Sequence, residues 1–465
     1  MVGQDIGALA KHLALIGFMG VGKTTVGREV ARLVERPFVD TDEEIEKRHG
    51  PIARIFEEQG EAEFRRLEEQ VVAEALATPE PAVIALGGGA LLADATRSRL
   101  RRAHVIWLDV DADTAWERAR GGERPLAREE SEFRRLFDER SEAYSSLRDD
   151  VADNATDVVL GALRTSIEHG NRRVCSDAPA VVIGDEQVLS LHAPPHAERL
   201  YSIPAGERAK TLEVAERLWN ELVVDREGVL IAFGGGTTTD LAGFVAATFL
   251  RGIRWVAVPT TLVGQVDAAI GGKTGIDLGK GKNLVGAFHF PEQVIIDSEL
   301  LSTLPDEERR AGMAEVVKAG LLAGRPLWEL PEEEMIRGAA AFKCAVVLSD
   351  PYEQGRRAIL NLGHTFAHAL ETASDYTLRH GDAVALGLLA ALRLSGRPTD
   401  VVEEVLRPEP VHVDPERAWA AMSRDKKARE GKIRMVLLEE PGRPVFPAEL
   451  PGAEVRRALE ALIEK

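Results

Sequence analysis

The chain belongs to the α/β fold class, in three parts. These are a P-loop domain with a doubly wound parallel sheet, a second α/β domain, and a C-terminal all-helical domain. Three observations predict this. The apolar run Leu13-Ala14-Leu15-Ile16 breaks into Gly17-Phe18-Met19-Gly20-Val21-Gly22-Lys23-Thr24, and a helical run from Thr25 to Glu35 follows. Val229 to Phe233 repeats the order of strand, glycine turn and helix, with Gly234-Gly235-Gly236 as its turn. Beyond about residue 306 the apolar spacing becomes helical. At 465 residues the chain also exceeds one ordinary core.

The first turn has the spacing G-x-x-x-x-G-K-T in the strand-to-helix context that a phosphate-binding loop requires. Gly17, Gly20 and Gly22 let backbone N–H groups turn toward phosphate oxygens, and the helix beginning near Thr25 adds its dipole. Lys23 is expected at the β- and γ-phosphates, and the Thr24 hydroxyl at Mg²⁺. A second short strand ends in Asp40-Thr41-Asp42. Ligands of α/β sheets sit beyond the carboxyl ends of the strands, so these carboxylates suit a metal. A solvated helix N-terminus accounts for them equally well, since Asp caps helices.

Gly60-Glu61-Ala62-Glu63-Phe64-Arg65-Arg66-Leu67-Glu68 reads as a helix, and a charged surface helix is its plain explanation. Ala82 to Leu86 is a strand running into Gly87-Gly88-Gly89, which lets a ligand approach the backbone. Gly121-Gly122-Glu123-Arg124-Pro125-Leu126 reads as a flap carrying one arginine, and a later helix holds Arg140 and Tyr144.

Together these motifs resemble shikimate kinase over roughly residues 10–165. The resemblance implies ATP with Mg²⁺ held by Lys23 and Thr24, with Asp40 supporting the metal. It makes Asp42 the partner of the hydroxyl to be phosphorylated. Arg65, Arg140 and the backbone at Gly88 bind shikimate, and Arg124 closes over the phosphates. Phosphoryl transfer needs such positioning and charge neutralisation more than covalent chemistry.

Composition narrows the setting. Two cysteines, Cys175 and Cys344, support neither a disulfide framework nor a cysteine-rich metal site. The net charge of −18 argues against bulk nucleic-acid binding. No apolar run is long enough to span a membrane and no signal segment opens the chain, so a cytoplasmic enzyme is expected. A polar Gly- and Pro-containing stretch marks a linker, giving expected domains over 1–171, 172–305 and 306–465.

In the second half, a triple glycine without G-x-G-x-x-G is weak evidence for a dinucleotide on spacing alone. Gln265 to Asp277, followed by Gly281-Lys282-Asn283, is too rich in Gly, Lys and Asn for simple packing and reads as an anion-binding loop. Glu315 and Lys318 share a helix face at i,i+3. His364 and His368 share another at i,i+4, and His380 follows within 17 residues of His364. One Glu and several His from different helices suit Zn²⁺ with an open position. A lone His there would more often be structural, and H-x-x-x-H lacks the Glu of a zincin.

These motifs resemble 3-dehydroquinate synthase over roughly 178–465. They are G-G-G-x-x-x-D-L-A-G-F, P-T-T, Q-V-D-A-A-I-G-G-K-T-G-I-D, R-A-G-M-A-E-V-V-K, N-L-G-H-T-F-A-H-A-L-E, H-G-D-A and the D-K-K at Asp425-Lys426-Lys427. The resemblance implies an NAD-binding α/β domain, a helical metal domain and a homodimer. It implies Zn²⁺, or Co²⁺, on Glu315, His364 and His380. It places NAD⁺ against Asp185, Glu207, Lys210, Gly235, Gly236, Asp240, Thr260, Thr261, Lys273 and Lys282. Asp267, Lys273 and His368 are the implied catalytic groups. Asn283, Lys318, Lys343, Arg357, Asn361 and Lys426 surround the substrate, and Arg251 reaches the neighbouring subunit's site.

The implied activities are phosphorylation of shikimate and cyclisation of 3-deoxy-D-arabino-heptulosonate 7-phosphate to 3-dehydroquinate with release of phosphate. Thr237-Thr238-Thr239 replaces the family's apolar and glycine residues, and the segments 181–204 and 321–342 are short. Another sugar-phosphate cyclase or an inactive regulatory domain are the alternatives for this half. The kinase motifs and the retained Glu315, His364 and His380 disfavour them. A general nucleotide kinase is disfavoured by the D-T-D and F-R-R pair.

Overall fold

The computed structural model describes residues 7–120, 129–170, 172–174, 178–279, 281–424, 428–429 and 432–464. Arg124 with the flap around it, Lys426 with the D-K-K motif, and Cys175 lie outside the described residues. The chain divides into two compact units, Gly3–Thr165 and Ser166–Lys465.

The first unit alternates strand and helix: β1 (Leu13–Ile16), α1 (Lys23–Val34), β2 (Phe38–Asp40), α2 (Thr41–His49), α3 (Ile52–Leu76), β3 (Val83–Ala85), α4 (Asp94–Leu100), β4 (His104–Leu108), α5 (Ala112–Ala119), α6 (Glu130–Leu147), β5 (Asp150–Ala152) and α7 (Ala155–Ala162). The strands form a five-stranded sheet in the order β2-β3-β1-β4-β5, with every pairing parallel. All four residues of β1 are buried, as expected of a central parallel strand covered on both faces. α1 begins directly at Lys23, and Glu35 closes it in the left-handed conformation. Gly20 sits at φ 84°, and a Cβ there would run into the Ala115 carbonyl, so only glycine fits the turn.

The second unit continues with β6 (Thr165–Glu168), β7 (Ala180–Asp185), α8 (Glu186–Leu191), β8 (Arg199–Ile203), α9 (Leu212–Glu221), β9 (Val229–Gly234), α10 (Gly236–Thr248), β10 (Arg254–Pro259), β11 (Lys273–Leu278), β12 (Gly281–Phe288) and β13 (Gln293–Asp297). Its main sheet has the order β6-β13-β10-β9-β7-β8. The β13-β10, β10-β9, β9-β7 and β7-β8 pairings are parallel. β11 and β12 form a separate antiparallel ribbon. A π-helical turn, Gly264–Ala268, precedes it.

Helices then take over: α11 (Asp306–Ala323), α12 (Glu332–Ser349), α13 (His364–Ala373), α14 (His380–Leu394) and α15 (Pro415–Arg424). Their apolar faces pack into one core that includes Val317, Val346, Phe366, Leu370, Val384 and Leu388. The chain ends in β14 (Ala428–Arg429), β15 (Lys432–Glu440), β16 (Arg443–Pro451) and α16 (Gly452–Glu460). The metal-bearing part is helical as expected, but "all-helical" needs correcting for 428–451, where β14, β15 and β16 form an antiparallel sheet. The reason is local: Ile433, Met435, Val436 and Leu438 of β15 are buried in the helical core, so one face of the strand completes it.

Candidate active sites

In the first unit the P-loop turn holds Lys23 in place. Its ammonium donates to the carbonyls of Gly17 at 2.8 Å and Phe18 at 2.9 Å. The Thr24 hydroxyl donates to Asp40 Oδ2 at 2.6 Å. The other oxygen of Asp40 accepts from the backbone N–H groups of Asp42 and Glu43, at 3.0 and 3.2 Å, and so caps α2. Asp40 thus caps α2 and also contacts the P-loop hydroxyl.

The Gly87-Gly88-Gly89 turn gathers the remaining residues. A side chain at Gly87 would collide with the carboxylates of Asp42 and Glu68, and one at Gly89 with the Arg65 guanidinium. The Gly88 carbonyl accepts from Arg140 Nη1 at 3.1 Å and from the Tyr144 hydroxyl at 2.7 Å. Arg140 also lies over the Phe18 ring, 5.4 Å from its centroid. Arg65 pairs with the buried Glu68 at 2.7 Å. Burial raises the Glu68 carboxyl, against the pull of Arg65, and Asp42 nearby adds to the rise. Asp42, Arg65 and Arg140 therefore gather around the Gly87–Gly89 turn, with two cations and the two carboxylates of Asp42 and Glu68. This can hold a small hydroxylated acid beside the phosphate cradle.

In the second unit the turn after β9 has no lysine of its own. Lys210, 30 residues before Asp240, donates to Asp240 Oδ2 at 2.8 Å and to Asn283 Oδ1 at 2.5 Å. Burial works against its charge, but Asp240 outweighs it and the ammonium is held above its usual range. Asp185 caps α8 through Gln187 and Val188 and accepts from the Gly206 N–H at 3.3 Å. Lys282 donates to Glu207 at 3.1 Å. The buried hydroxyls of Thr238 and Thr260 have no hydrogen-bond partner among the described residues, so polar capacity remains beside the turn. Asn283, expected at the substrate, stands here with Lys210 and Asp240.

A line of paired charges continues into the helices. Asp267, on the π-helical turn, accepts from Lys343 at 2.5 Å and lies 3.9 Å from Lys318. Lys318 pairs with Glu315, one turn away on α11. Burial lowers the Lys343 ammonium, with Arg357 and Lys318 adding to the effect against Asp267. Arg357 is 1% exposed and donates to the carbonyls of Pro351 and Gly271 at 2.6 and 2.9 Å. Lys273 pairs with Glu353, which also accepts from Asn361 at 3.1 Å.

Glu315 Oε1 lies 3.5 Å from His364 Nε2 and 3.4 Å from His380 Nε2. One donor atom from each of these three residues falls within 4.8 Å of the others. Close helix contacts make this possible. A Cβ at Gly381 would overlap the Ala311 backbone, and one at Gly387 the Gly363 carbonyl, so α14 abuts both α11 and the start of α13. Neither Glu315 oxygen has an aligned hydrogen bond, although both are buried. A carboxylate left in that state, facing two imidazoles, fits a divalent cation. Burial, with Lys318 nearby, pushes His364 well below the usual imidazole range and keeps it a neutral donor. His380 feels burial too, but the nearby carboxylates of Glu315 and Glu371 push it up to about 10. Such a proton must leave when a metal binds. His368 is exposed, with its ring 5.6 Å from that of His364.

Arg251 is exposed on the short turn Phe249–Arg251, with φ 68°. Glu68, Glu353 and Glu371 enter the sites without having been assigned a role, and Tyr144, noted beside Arg140, shares its carbonyl partner. Glu68 lies three residues after Arg65, and Glu371 three after His368, spacings that put each on its neighbour's helix face.

Against known families, residues 19–168 match shikimate kinase. Residues 200–311 match the N-terminal part of 3-dehydroquinate synthase, and 312–428 its C-terminal part. The bifunctional shikimate kinase/3-dehydroquinate synthase of Thermotoga maritima is 33% identical, over 94% of this chain and 97% of its own. This chain belongs to that bifunctional family. The 3-dehydroquinate synthase of Thermobifida fusca is 42% identical over 56% of the chain and 78% of its own. A 2-epi-5-epi-valiolone synthase from Streptomyces hygroscopicus, solved with NAD⁺ and Zn²⁺, superimposes with a TM-score of 0.56 at 26% identity, over 64% of this chain and 96% of that one. A 2-deoxy-scyllo-inosose synthase solved with carbaglucose-6-phosphate, NAD⁺ and Co²⁺ gives 0.54 at 26%, over 61% and 90%. The bifunctional family thus accounts for both units, and for the order in which they occur.

Proposed function

We propose that the two units carry two separate active sites, each built from the residues gathered above. The protein is a shikimate kinase and a 3-dehydroquinate synthase. It phosphorylates shikimate with ATP, and it cyclises 3-deoxy-D-arabino-heptulosonate 7-phosphate to 3-dehydroquinate with loss of phosphate. The observation that carries the reading is the pair of complete constellations: Lys23, Thr24, Asp40, Asp42, Arg65 and Arg140 in one unit, and Glu315, His364 and His380 beside Asp267, Lys318 and Lys343 in the other.

In the kinase, Lys23 and the turn N–H groups neutralise phosphate charge, and Thr24 with Asp40 face the Mg²⁺ that accompanies ATP. Arg65 and Arg140 bind the shikimate carboxylate, and Asp42 accepts the proton of the attacking hydroxyl. In the synthase, Glu315, His364 and His380 hold Zn²⁺ or Co²⁺, and the turn at Gly235 and Gly236 with Asp185, Lys210, Asp240, Thr260 and Thr261 holds NAD⁺. When bound, NAD⁺ supplies a regenerated hydride acceptor and the metal polarises a substrate oxygen. Lys318, Lys343 and Arg357 bind substrate anions. Asp267 keeps two of those cations in register, and His368, exposed beside His364, exchanges a proton with the substrate.

The kinase unit favours 3-dehydroquinate synthase over other cyclisations, because it supplies a step of the same aromatic-acid route. A homodimer through the synthase half is supported by exposed Leu278, Leu284, Val285 and Phe288 on the β11–β12 ribbon, and by exposed Leu250 beside Arg251. Such a patch suits burial against a second copy. No helix among the described residues is long and apolar enough to cross a membrane. We assign the enzyme to the cytoplasm, where ATP and NAD⁺ are available.

The test assays both reactions on one purified protein before and after removal of transition metal. Cyclisation is expected to disappear and to return with Zn²⁺, while phosphorylation, assayed with added Mg²⁺, persists. Metal content then separates the histidines. His364→Ala protein is expected to lose its zinc, whereas His368→Ala protein keeps about one zinc per chain and turns over slowly. Full cyclisation without transition metal overturns the metal assignment, and the opposite pattern of zinc content reverses it.

A further inference from the structure

Glu371 is 4% exposed, near the end of α13, seven residues after His364. A carboxylate this buried needs a partner. Its partner is the imidazole that opens α14: His380 Nδ1 lies 3.3 Å from Glu371 Oε1. A carboxylate can only accept, so Nδ1 keeps its proton, and Nε2, on the Glu315 side, is the nitrogen that gives up its proton to bind a metal. His364 is oriented by a different device, with its Nδ1 3.2 Å from the Leu362 carbonyl. One imidazole of the cluster is therefore set by a neutral backbone oxygen and the other by an anion.

We propose that Glu371 is a positioning residue for the metal. Its carboxylate fixes the tautomer and ring orientation of His380 and strengthens it as a donor, without touching the metal or the substrate. This rests on the reading of Glu315, His364 and His380 as metal ligands. The segment between the two residues supports it. The Tyr376 N–H donates to the Glu371 carbonyl at 2.8 Å, and the Ser374 hydroxyl donates to the same carbonyl at 3.0 Å. The turn that leads to His380 is thus tied to Glu371 through backbone as well as side chain. His368 and Lys282 are the other basic side chains that bear on the carboxylate, and neither is a member of the metal cluster.

Outer carboxylates of this kind typically account for about 10- to 100-fold in metal affinity. The test measures zinc affinity of the full-length protein by competition with a chromophoric chelator, for wild type, Glu371→Ala, Glu371→Gln, His380→Ala and the double variant Glu371→Ala/His380→Ala. Glu371→Ala is expected to weaken zinc binding by about 10- to 100-fold, with shikimate phosphorylation unchanged. Glu371→Gln keeps an oxygen that accepts from Nδ1–H and should recover most of the affinity. In the His380→Ala background, Glu371→Ala should change nothing further, because its target is gone. Wild-type affinity in Glu371→Ala overturns the proposal. So does an equal further loss in the double variant, which would mark a merely structural residue, and so does a Gln variant as weak as the Ala variant. Wild-type zinc affinity in His380→Ala would instead overturn the ligand assignment itself.

Discussion

Both units place a glycine turn between a buried parallel strand and a helix, yet they bring charge to it in different ways. After β1 the turn contains its own cation. Lys23 is the first residue of α1, and two carbonyls of the same turn hold its ammonium. After β9 the turn continues into Thr237-Thr238-Thr239, and the cation is brought by Lys210, paired with Asp240 and Asn283 from separate elements. The backbone also differs. Gly20 is left-handed and pressed against Ala115, while Gly236 has ordinary dihedrals and its Cβ position lies 3.1 Å from Ala268 Cβ. A phosphate site built within one turn depends on that turn alone. A site assembled from several elements shares the work among them, and a single loss should matter less.

Four substitutions can break or sharpen that contrast. Lys23→Ala should have the largest effect, lowering kcat for shikimate phosphorylation by about 10²–10³ while cyclisation stays normal in the same preparation. Loss of both activities in folded protein would refute two independent sites. Gly20→Ala comes next. A left-handed alanine costs about 1–2 kcal/mol, and forcing Ala115 aside adds about 1–3 kcal/mol. Calorimetry should therefore show the kinase transition at lower temperature with the synthase transition unmoved. Lys210→Ala should raise the KM for NAD⁺ by roughly tenfold to a hundredfold, the loss of about 1.5–3 kcal/mol expected when a charged hydrogen bond goes. A kcat collapse matching that of Lys23→Ala would erase the contrast. Gly236→Ala is the smallest, with stability changed by less than about 1 kcal/mol. Its consequence should appear in NAD⁺ binding, where a methyl group meets the ligand.

The same contrast explains what could be read from the sequence. The P-loop, D-T-D and the two glycine triplets are local patterns whose chemistry follows from spacing, and the structure has each between the expected elements. The convergence of Glu315, His364 and His380 was legible as residue types in motifs, although the segments meet only because glycines let α14 approach α11 and α13. Contacts made by packing were not legible. Asn283 meets Lys210 across 73 residues, and Glu353 meets Lys273 across 80, with no local signal for either. Glu371 lay within a recognised motif, but its role appears only once α14 turns back along α13. β15 was missed because its buried residues complete a helical core, so the surroundings read as helix.

One feature of the second sheet bears on how the halves can be separated. β6 forms its edge beside β13. The residues just after β6 are fastened down as well: the Gly170 N–H donates to Asp297 at 3.1 Å, and Arg172 pairs with the same buried carboxylate at 3.1 Å. A synthase fragment started at 172, where composition suggests a linker, would be stripped of β6 and leave β13 as a bare hydrogen-bonding edge. Such an edge recruits strands from other chains. Recombinant dissection should therefore cut in the short connection after α7, so that the synthase piece carries its own border strand. The same logic makes Arg164, the left-handed residue between Ala162 and β6, a more suitable junction for an inserted cleavage sequence than the polar stretch that follows.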